Sequence, residues 1–272
     1  MKKLLGLIII IGLNLPAYAS IAVSPTKIEL DANKIRNNYA TCAIEVKGDE
    51  STPMRFKAYA GYFEISKDST MELKTSTGNP HDISKKIRFV PSEFTVPPGK
   101  SQKFRVNIAN IKNLPDGESR AVIFIEDVNV KEVNFDVNSG IGAQLILKTR
   151  VGVPIYVDKG KYVKKGDIEF LEILQEKNNY YTKMKVISIG NSKIRYGGKV
   201  QIIKGKKLID EYLIDDKVIG DNSYHIAKQK IKTDKIKEAG DYTVRMIMSY
   251  LDENGNKKSI KKDTILQIKD AI

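Results

Sequence analysis

The sequence has very few of the residues on which disulfides, metal sites and most nucleophilic enzymes depend. Its 272 residues include 1 cysteine, 2 histidines and no tryptophan. A single cysteine, Cys42, cannot form a disulfide within the chain, and these residues are too few for a Cys/His zinc site. A Ser-His-Asp or Cys-His enzyme would have to use His81 or His225. We therefore expect a protein without enzymatic activity, catalytic residues, metal or cofactor.

Long apolar runs are also absent, except at the N-terminus. Lys2 and Lys3 precede the apolar run Leu4–Leu13, and Ala17-Tyr18-Ala19 has the small-x-small pattern of a cleavage site. A run of this length is too short to span a bilayer, so the pattern predicts a secretory signal peptide over residues 1–19. We expect cleavage after Ala19 and an exported mature protein with no membrane span.

The rest of the chain contains short β-branched and aromatic runs separated by turn signals. Such runs recur from Ala22 to Val157 and again from Ile168 to Ile268, and no stretch keeps a period of 3.6 residues. This pattern predicts an all-β protein with two immunoglobulin-like β-sandwich domains in tandem. The last strand of the first domain is predicted as one long strand, Ile141–Val157.

Two shifts in composition predict the domain boundary. All nine prolines lie at or before Pro154, and the polar, glycine-containing stretch Asp158-Lys159-Gly160-Lys161 follows. We expect one domain over residues 20–158 and a second over residues 159–272. The second is the basic one, with 25 Lys and Arg residues against 16 Asp and Glu residues, whereas the first has a net charge of only +2.

The basic surplus of the second domain has two interpretations. Lysines on the solvent face of strands keep edge strands from pairing with other chains, and that is their usual role. Alternatively, the domain binds an anionic surface polymer, which would make the chain a structural or adhesive cell-envelope protein. We expect no nucleic-acid partner, because no basic motif interleaved with aromatic residues is present.

Three segments of the first domain carry a resemblance to a known family. They are Val23–Leu30, then Phe89–Val106 leading into Leu114-Pro115-Asp116-Gly117-Glu118-Ser119-Arg120, and finally Ala143–Val151. In this order they resemble the N-terminal domain of the PapD-like periplasmic chaperones, which act in chaperone–usher pilus assembly. The resemblance extends over about 130 residues. The second domain resembles immunoglobulin-like modules only in general.

The resemblance implies a binding mode for the last strand of the first domain. In that family the strand completes the open groove of an immature pilus subunit, with main-chain hydrogen bonds and alternate apolar side chains. Alternation places one set of residues of this strand on a common face. The expected subunit-binding residues are Ile141, Ala143, Leu145, Leu147, Thr149 and Val151. The alternative is an ordinary core strand without a partner.

The resemblance also implies a basic pair that anchors the C-terminal carboxylate of the subunit. Lys27 lies at the first family position, and Gly152 occupies the second, where the family has Lys. Arg150 is the nearest cation on that face, so Lys27 and Arg150 are the candidate anchor. In the family, the glutamate that corresponds to Glu118 pairs with an Arg at the end of the last strand. Here that end is Pro154–Val157, which contains no Arg, so we expect the two domains to meet at a different angle.

The leading hypothesis from the sequence is therefore a periplasmic chaperone in fimbrial biogenesis. Its expected partners are pilus or surface-protein subunits and an outer-membrane usher. The structural or adhesive envelope protein described above is the alternative.

Overall fold

The computed structural model describes residues 21–75, 78–129, 131–137, 141–177 and 179–269. The predicted signal peptide lies outside these ranges, and so do the side chains of residues 131–137, 141–145 and 147. In the described part of the chain, regular structure consists of strands and three short 3-10 helices, Ala32–Lys34, Ser84–Lys86 and Ile111–Asn113, with no α-helix. The predicted all-β class is confirmed.

The strands fall into two groups along the chain. The first group comprises β1 (Ala22–Ser24), β2 (Ile28–Asp31), β3 (Tyr39–Lys47), β4 (Met54–Ile65), β5 (Met71–Lys74), β6 (Ile87–Val90), β7 (Glu93–Val96), β8 (Ser101–Ala109), β9 (Gly117–Asp127), β10 (Lys131–Val137), β11 (Ile141–Leu147) and β12 (Arg150–Lys159). The second group comprises β13 (Gly166–Glu176), β14 (Asn179–Ser188), β15 (Ile194–Lys204), β16 (Lys207–Ile219), β17 (Tyr224–Lys230), β18 (Gly240–Leu251) and β19 (Lys257–Ile268).

The first sandwich has two sheets that share one core. One sheet has the strand order β1-β3-β8-β6, and the other has the order β2-β12-β9-β4-β5 with β7 also paired to β4. Ile44 of β3 and Phe104 of β8 meet Phe56 of β4 and Ile155 of β12 in the buried core between the sheets. Alternate residues of β3 and β8 point to solvent, as expected for antiparallel sheets with one wet face.

Strand β9 departs from this alternation because it is buried on both faces. Ala121, Ile123 and Ile125 belong to the core of the first sandwich. Val122 and Phe124 point to the opposite face, where they form a smaller buried cluster with Phe63 and Tyr156. An apolar cluster therefore lies on the outer face of this sheet as well as inside the sandwich.

The second sandwich has its own core. Its sheets have the orders β13-β14-β17 and β16-β15-β18-β19. Strand β18 shows the alternation most clearly, because Tyr242, Val244, Met246, Met248 and Tyr250 are all buried while the residues between them are not. The two-sandwich architecture predicted from the sequence is confirmed. The boundary at 158/159 stays a prediction, although β12 ends at Lys159 and β13 begins at Gly166.

The prediction of one continuous strand over Ile141–Val157 is wrong. Strand β11 pairs only with β10, in a separate two-stranded sheet, whereas β12 pairs with β9 and β2. The break falls at Lys148 and Thr149, which lie in neither strand. It coincides with a break in the partner strand, because β9 ends at Asp127 and β10 begins at Lys131. Strands β10 and β11 therefore form a hairpin that extends β9 and β12 beyond the sandwich.

Candidate functional site

The candidate site begins with a free strand edge. In the described residues β11 has a partner only on its β10 side, and Arg150–Pro154 of β12 has a partner only on its β9 side. Both strands have the same side open, because β10 continues β9. Unpaired N–H and C=O groups along such an edge can pair with a strand from another chain. Ile146 on this hairpin is 60% exposed.

Strand β2 closes this edge abruptly. It pairs in parallel with β12 from Ile155, which lies opposite Ile28, to Asp158, which lies opposite Asp31. An added strand that runs along Arg150–Pro154 therefore meets the beginning of β2, next to Lys27. Pro154, at this point, has no N–H group to offer. The free edge ends at a defined place.

The structure separates the predicted subunit-binding residues into two groups. Ile141, Ala143, Leu145 and Leu147 lie on β11, where their side chains are outside the described part. Thr149 is exposed between the strands, and Val151 of β12 is half-buried. The next residues with the same alternation, Val153 and Ile155, are fully buried in the core of the chain's own first sandwich.

The family's second anchor position is Gly152, and an aromatic ring lies over it. A Cβ atom at Gly152 would lie 3.2 Å from Cγ2 of Val122 and 3.6 Å from the ring of Phe124. A Cβ atom at Gly61, on the other side of β9, would lie 2.7 Å from the same ring. The Phe124 ring thus lies on the outer face between two glycines, and the tight contact of a side chain at position 152 would be with Val122, since the ring is at ordinary van der Waals distance from it.

Arg150 is held against this ring. Its guanidinium group lies 4.2 Å from the centroid of Phe124 and donates a hydrogen bond to Oη of Tyr59 at 3.1 Å. Lys27 is far away, because Arg150 precedes Ile155, the partner of Ile28, by five residues, or roughly 16 Å of extended chain. The structure therefore does not bring the two predicted anchor residues together.

Lys27 instead lies in a cleft between the two domains. This cleft has a volume of about 420 Å³, and cations from both domains line it. They are Lys27, Lys164, Lys193, Arg195 and Lys257. A neighbouring cavity of about 370 Å³ shares Lys27 and Arg195 and has an apolar lining from Ile65, Met71, Pro154, Tyr156 and Val218.

The floor of the cleft is a buried ion-pair network that joins the domains. Lys193 is only 4% exposed, and its Nζ lies 3.1 Å from Glu118, 3.3 Å from Glu29 and 3.7 Å from the ring centroid of Tyr156. Arg120 bridges Glu118 of its own strand and Asp221 of the second domain. The resemblance implies an Arg partner for Glu118 at the end of the last strand, but Pro154–Val157 contains none. In this structure Lys193 and Arg120 are the partners of Glu118.

The titration of Glu29 reflects this network. Burial alone would raise the pKa of the Glu29 carboxyl group, but the charges of Lys193 and Lys27 outweigh burial and lower the pKa. Lys27 is itself 38% exposed and pairs with Glu29 at 3.2 Å. Lys193 forms ion pairs with Glu118 and Glu29. Arg195, in contrast, is exposed and forms no ion pair with a described residue.

Sequence reasoning missed Lys193 and Arg195. Both follow the Asn191-Ser192 turn, and nothing in the local sequence connects them with the first domain. Their contacts depend on the way the turn docks on Glu118, whose N–H donates to the Asn191 carbonyl oxygen at 3.2 Å. Ser192 adds a hydrogen bond to Asp158 at 2.7 Å. Alternation with the buried residues Ile194 and Tyr196 places Lys193 and Arg195 on the opposite face, so the local pattern gave no signal of their contacts.

Metal-ligating residues are not concentrated at the site. No group of three or more His, Cys, Asp or Glu side chains that could hold a metal ion occurs among the described residues. The same part of the chain contains no helix with the length and apolar character needed to cross a membrane.

Comparison with known proteins gives a likeness of fold only. No protein-family model and no curated protein matches the sequence. The solved structure of the YadV chaperone matches with 10% identity and a TM-score of 0.47, over 90% of this chain and 100% of that chain. The CupB2 chaperone of Pseudomonas aeruginosa matches with 12% identity and a TM-score of 0.44, over 89% of this chain and 98% of that chain.

A third solved structure contains a chaperone together with a subunit. The CsuC–CsuE chaperone–tip adhesion subunit pre-assembly complex, from the archaic chaperone–usher Csu pili of Acinetobacter baumannii, matches with 12% identity and a TM-score of 0.44. The match covers 89% of this chain and 98% of that chain.

Proposed function

We propose that the protein is a periplasmic chaperone that binds immature pilus or surface subunits by strand addition. The observation that carries the proposal is the free edge over β11 and Arg150–Pro154, which ends beside a basic cleft. Main-chain groups along the edge pair with the subunit, and alternate side chains of the edge strand fill its groove. The function needs no chemistry and no cofactor. An outer-membrane usher, expected from the sequence resemblance alone, is the proposed receiver of the subunit.

The position of Lys27 supports one direction for the added strand. If the carboxylate end of the subunit is the end that reaches Lys27, its strand runs in the same direction as β12, because Lys27 lies at the Ile155 end of the free edge. The beginning of β2 then stops the added strand at its C-terminus. A parallel addition is therefore the arrangement we propose.

The carboxylate anchor is proposed as Lys27 with Arg195. Both line the cleft and the adjoining apolar cavity, and Arg195 forms no ion pair with a described residue, although Glu29 and Asp216 line the same cleft. Arg150 lies on the path of the added strand rather than at its end, and its guanidinium group is already stacked on Phe124. Two cations that converge on one site are suited to a carboxylate, because charge-assisted hydrogen bonds are the strong ones.

The groove-filling residues are proposed as Ile141, Ala143, Leu145 and Leu147, with Thr149 and Val151 at the lower end. The split between β11 and β12 supports this selection. The next residues on the same face, Val153 and Ile155, are buried in the core of the first sandwich and cannot contact a partner.

The test is a capture experiment in the exporting host, with identification of the captured proteins by mass spectrometry. The variant Leu145→Glu with Leu147→Glu is expected to lose capture of the subunits that the wild-type protein retains. The matched control is Gln144→Glu with Ile146→Glu, which adds the same charges to the same strand at the alternate positions and keeps capture. Equal capture by both double variants, with unchanged folding by circular dichroism, contradicts the proposal.

The anchor is tested on a captured subunit once it is identified. Arg195→Ala and Lys27→Ala are each expected to weaken binding by about tenfold, because each removes one charge-assisted contact. Amidation of the C-terminus of the subunit removes both contacts at once, so it should weaken binding to the wild-type protein more than either variant does, and it should weaken binding to each variant less than binding to the wild-type protein. Additive effects of amidation and Arg195→Ala would show that Arg195 does not contact the carboxylate.

A further inference from the structure

The basic surplus of the second domain is concentrated at the end that faces away from the first domain. Antiparallel pairing places the turns after β13 and β15, the segment 231–239 and the last residues of β19 at this end, which we call the distal pole. Segment 231–239 ties these parts together, because the Ile231 N–H donates to the Tyr180 carbonyl oxygen at 2.8 Å, Lys235 pairs with Asp210, and Lys204 pairs with Glu238.

Lysines outnumber carboxylates at the distal pole. Its described lysines are Lys177, Lys204, Lys206, Lys207, Lys230, Lys232, Lys235, Lys237 and Lys269, and its described acidic residues are Glu176, Asp210, Asp234, Glu238 and Asp241. Only Lys204 and Lys235 of these lysines form ion pairs with described residues. Seven lysines are therefore outside these ion pairs, all seven are exposed, and the 9 lysines and 5 acidic residues leave the pole a net charge of +4.

The opposite end of the same domain shows the contrast. Lys164 pairs with Asp158 at 2.7 Å, Lys258 pairs with Asp252 at 3.2 Å, and Lys193 is shared between two glutamates. That end also has exposed cations outside any ion pair with a described residue, namely Lys161, Lys165, Arg195, Lys217 and Lys257, but carboxylates such as Asp215, Asp216 and Glu253 accompany them. The uneven distribution points to an anionic partner at the distal pole.

Apolar side chains accompany these lysines. Leu208 is 50% exposed directly after Lys206 and Lys207, and Ile265 is 51% exposed near the end of β19. The register places them in one row across the sheet, since Leu208 lies opposite Ile203, Ile203 opposite Thr243, and Thr243 opposite Ile265. Lysines can contact anionic groups of either a bilayer or a polymer, but exposed aliphatic side chains gain from contact only with the apolar part of a bilayer. The distal pole therefore suits the interface of a bilayer better than a fully hydrated anionic polymer.

We propose that the distal pole is a peripheral membrane-binding surface for anionic lipid headgroups. The lysines of the pole approach the headgroups, and Leu208 and Ile265 enter the boundary between headgroups and acyl chains. The orientation keeps the free strand edge of the first domain away from the bilayer, because the distal pole is the end of the second domain opposite the junction. Subunit capture and membrane binding are therefore independent functions of the molecule.

The test is co-sedimentation of the exported protein, after removal of the signal peptide by the host, with vesicles of phosphatidylcholine alone or with phosphatidylglycerol. Binding is expected only with phosphatidylglycerol and is expected to fall steeply between 50 and 300 mM NaCl. Each lysine near an anionic bilayer raises the partition coefficient about fivefold. The variant with four changes to Glu, at Lys206, Lys207, Lys232 and Lys237, should therefore bind the vesicles at least ~100-fold more weakly.

A matched control separates the pole from net charge. Lys57, Lys85, Lys100 and Lys112 are exposed in the first domain, and changing all four to Glu alters the net charge equally. This control is expected to retain vesicle binding to within about fivefold, and the pole variant is expected to retain subunit capture. Leu208→Ser with Ile265→Ser should weaken vesicle binding by about tenfold without changing its salt dependence.

Three results would overturn the proposal. They are no binding of the wild-type protein to phosphatidylglycerol vesicles, equal losses in the pole variant and its control, and full binding by the Leu208→Ser, Ile265→Ser variant. Binding to an anionic polysaccharide in place of vesicles would assign the pole to a polymer instead. Thermal unfolding of every variant shows whether a loss of binding comes from a loss of fold.

Discussion

Strands β11 and β12 are neighbours in sequence with the same apolar alternation, but the fold uses them differently. Strand β12 has β9 on one side, β2 on the other side of its second half, and buried Val153, Ile155 and Val157 on its inner face. Among the described strands, β11 has only β10 beside it. An alternating pattern therefore predicts that one face of a strand is buried. It does not show whether the residues that pack on that face belong to the same chain or to a partner.

The largest expected effect separates the two strands by stability. Ile155→Asp places a carboxylate in the core of the first sandwich and should cost more than about 4 kcal/mol of unfolding free energy, which is enough to abolish the fold of that domain. Leu145→Asp on β11 should cost less than about 1 kcal/mol. Urea unfolding followed by circular dichroism measures both, and similar losses would show that β11 is part of the core.

A smaller effect is expected at Gly152 of β12. Gly152→Lys restores the residue expected from the family resemblance, but its Cβ atom would lie 3.2 Å from Cγ2 of Val122, so it should destabilise the protein by about 1–3 kcal/mol. Combining it with Val122→Ala should cost less than the sum of the two single changes, because the tight contact is then removed. Strict additivity in this double-mutant cycle would mean that Val122 does not hinder a side chain at position 152.

The smallest effect concerns the end of β12, where Glu29 lies opposite Tyr156. The pKa of Glu29 is lowered in the folded protein, since Lys193 and Lys27 outweigh the effect of burial. Its contribution to stability is therefore complete above the unfolded value near 4.5 and is lost as the pH falls through the lower folded value.

Glu29→Gln should remove this part of the acid dependence. Thermal unfolding of the wild-type protein and the variant between pH 6 and pH 3 measures the difference, which should shrink with decreasing pH. Glu172→Gln, at an exposed position of β13, is the control for the loss of one charge. A constant difference between the wild-type protein and Glu29→Gln at every pH would contradict the assignment.

The sequence was sufficient for the strand pattern and the fold class, because β-branched alternation and turn residues are local signals. The break at Lys148 and Thr149 was missed, since neither residue is a turn former and the break follows from the partner strand. The surroundings of Gly152 were missed because Val122 and Phe124, which lie nearest to it, belong to another strand. Arg195 was missed because the cleft exists only when the two domains are docked.

The parallel pairing of β2 with β12 limits the length of free strand edge that is available to a partner strand. Because β2 begins opposite Ile155, a strand added in the proposed parallel direction would have its C-terminal end fixed at Lys27. The five residues Arg150–Pro154 allow roughly 16 Å of pairing below the hairpin, and the seven residues of β11 add about 23 Å. Under this proposal the register of a partner strand is set from its last residue, so a subunit extended by one residue at its C-terminus would shift its whole side-chain pattern to the wrong face.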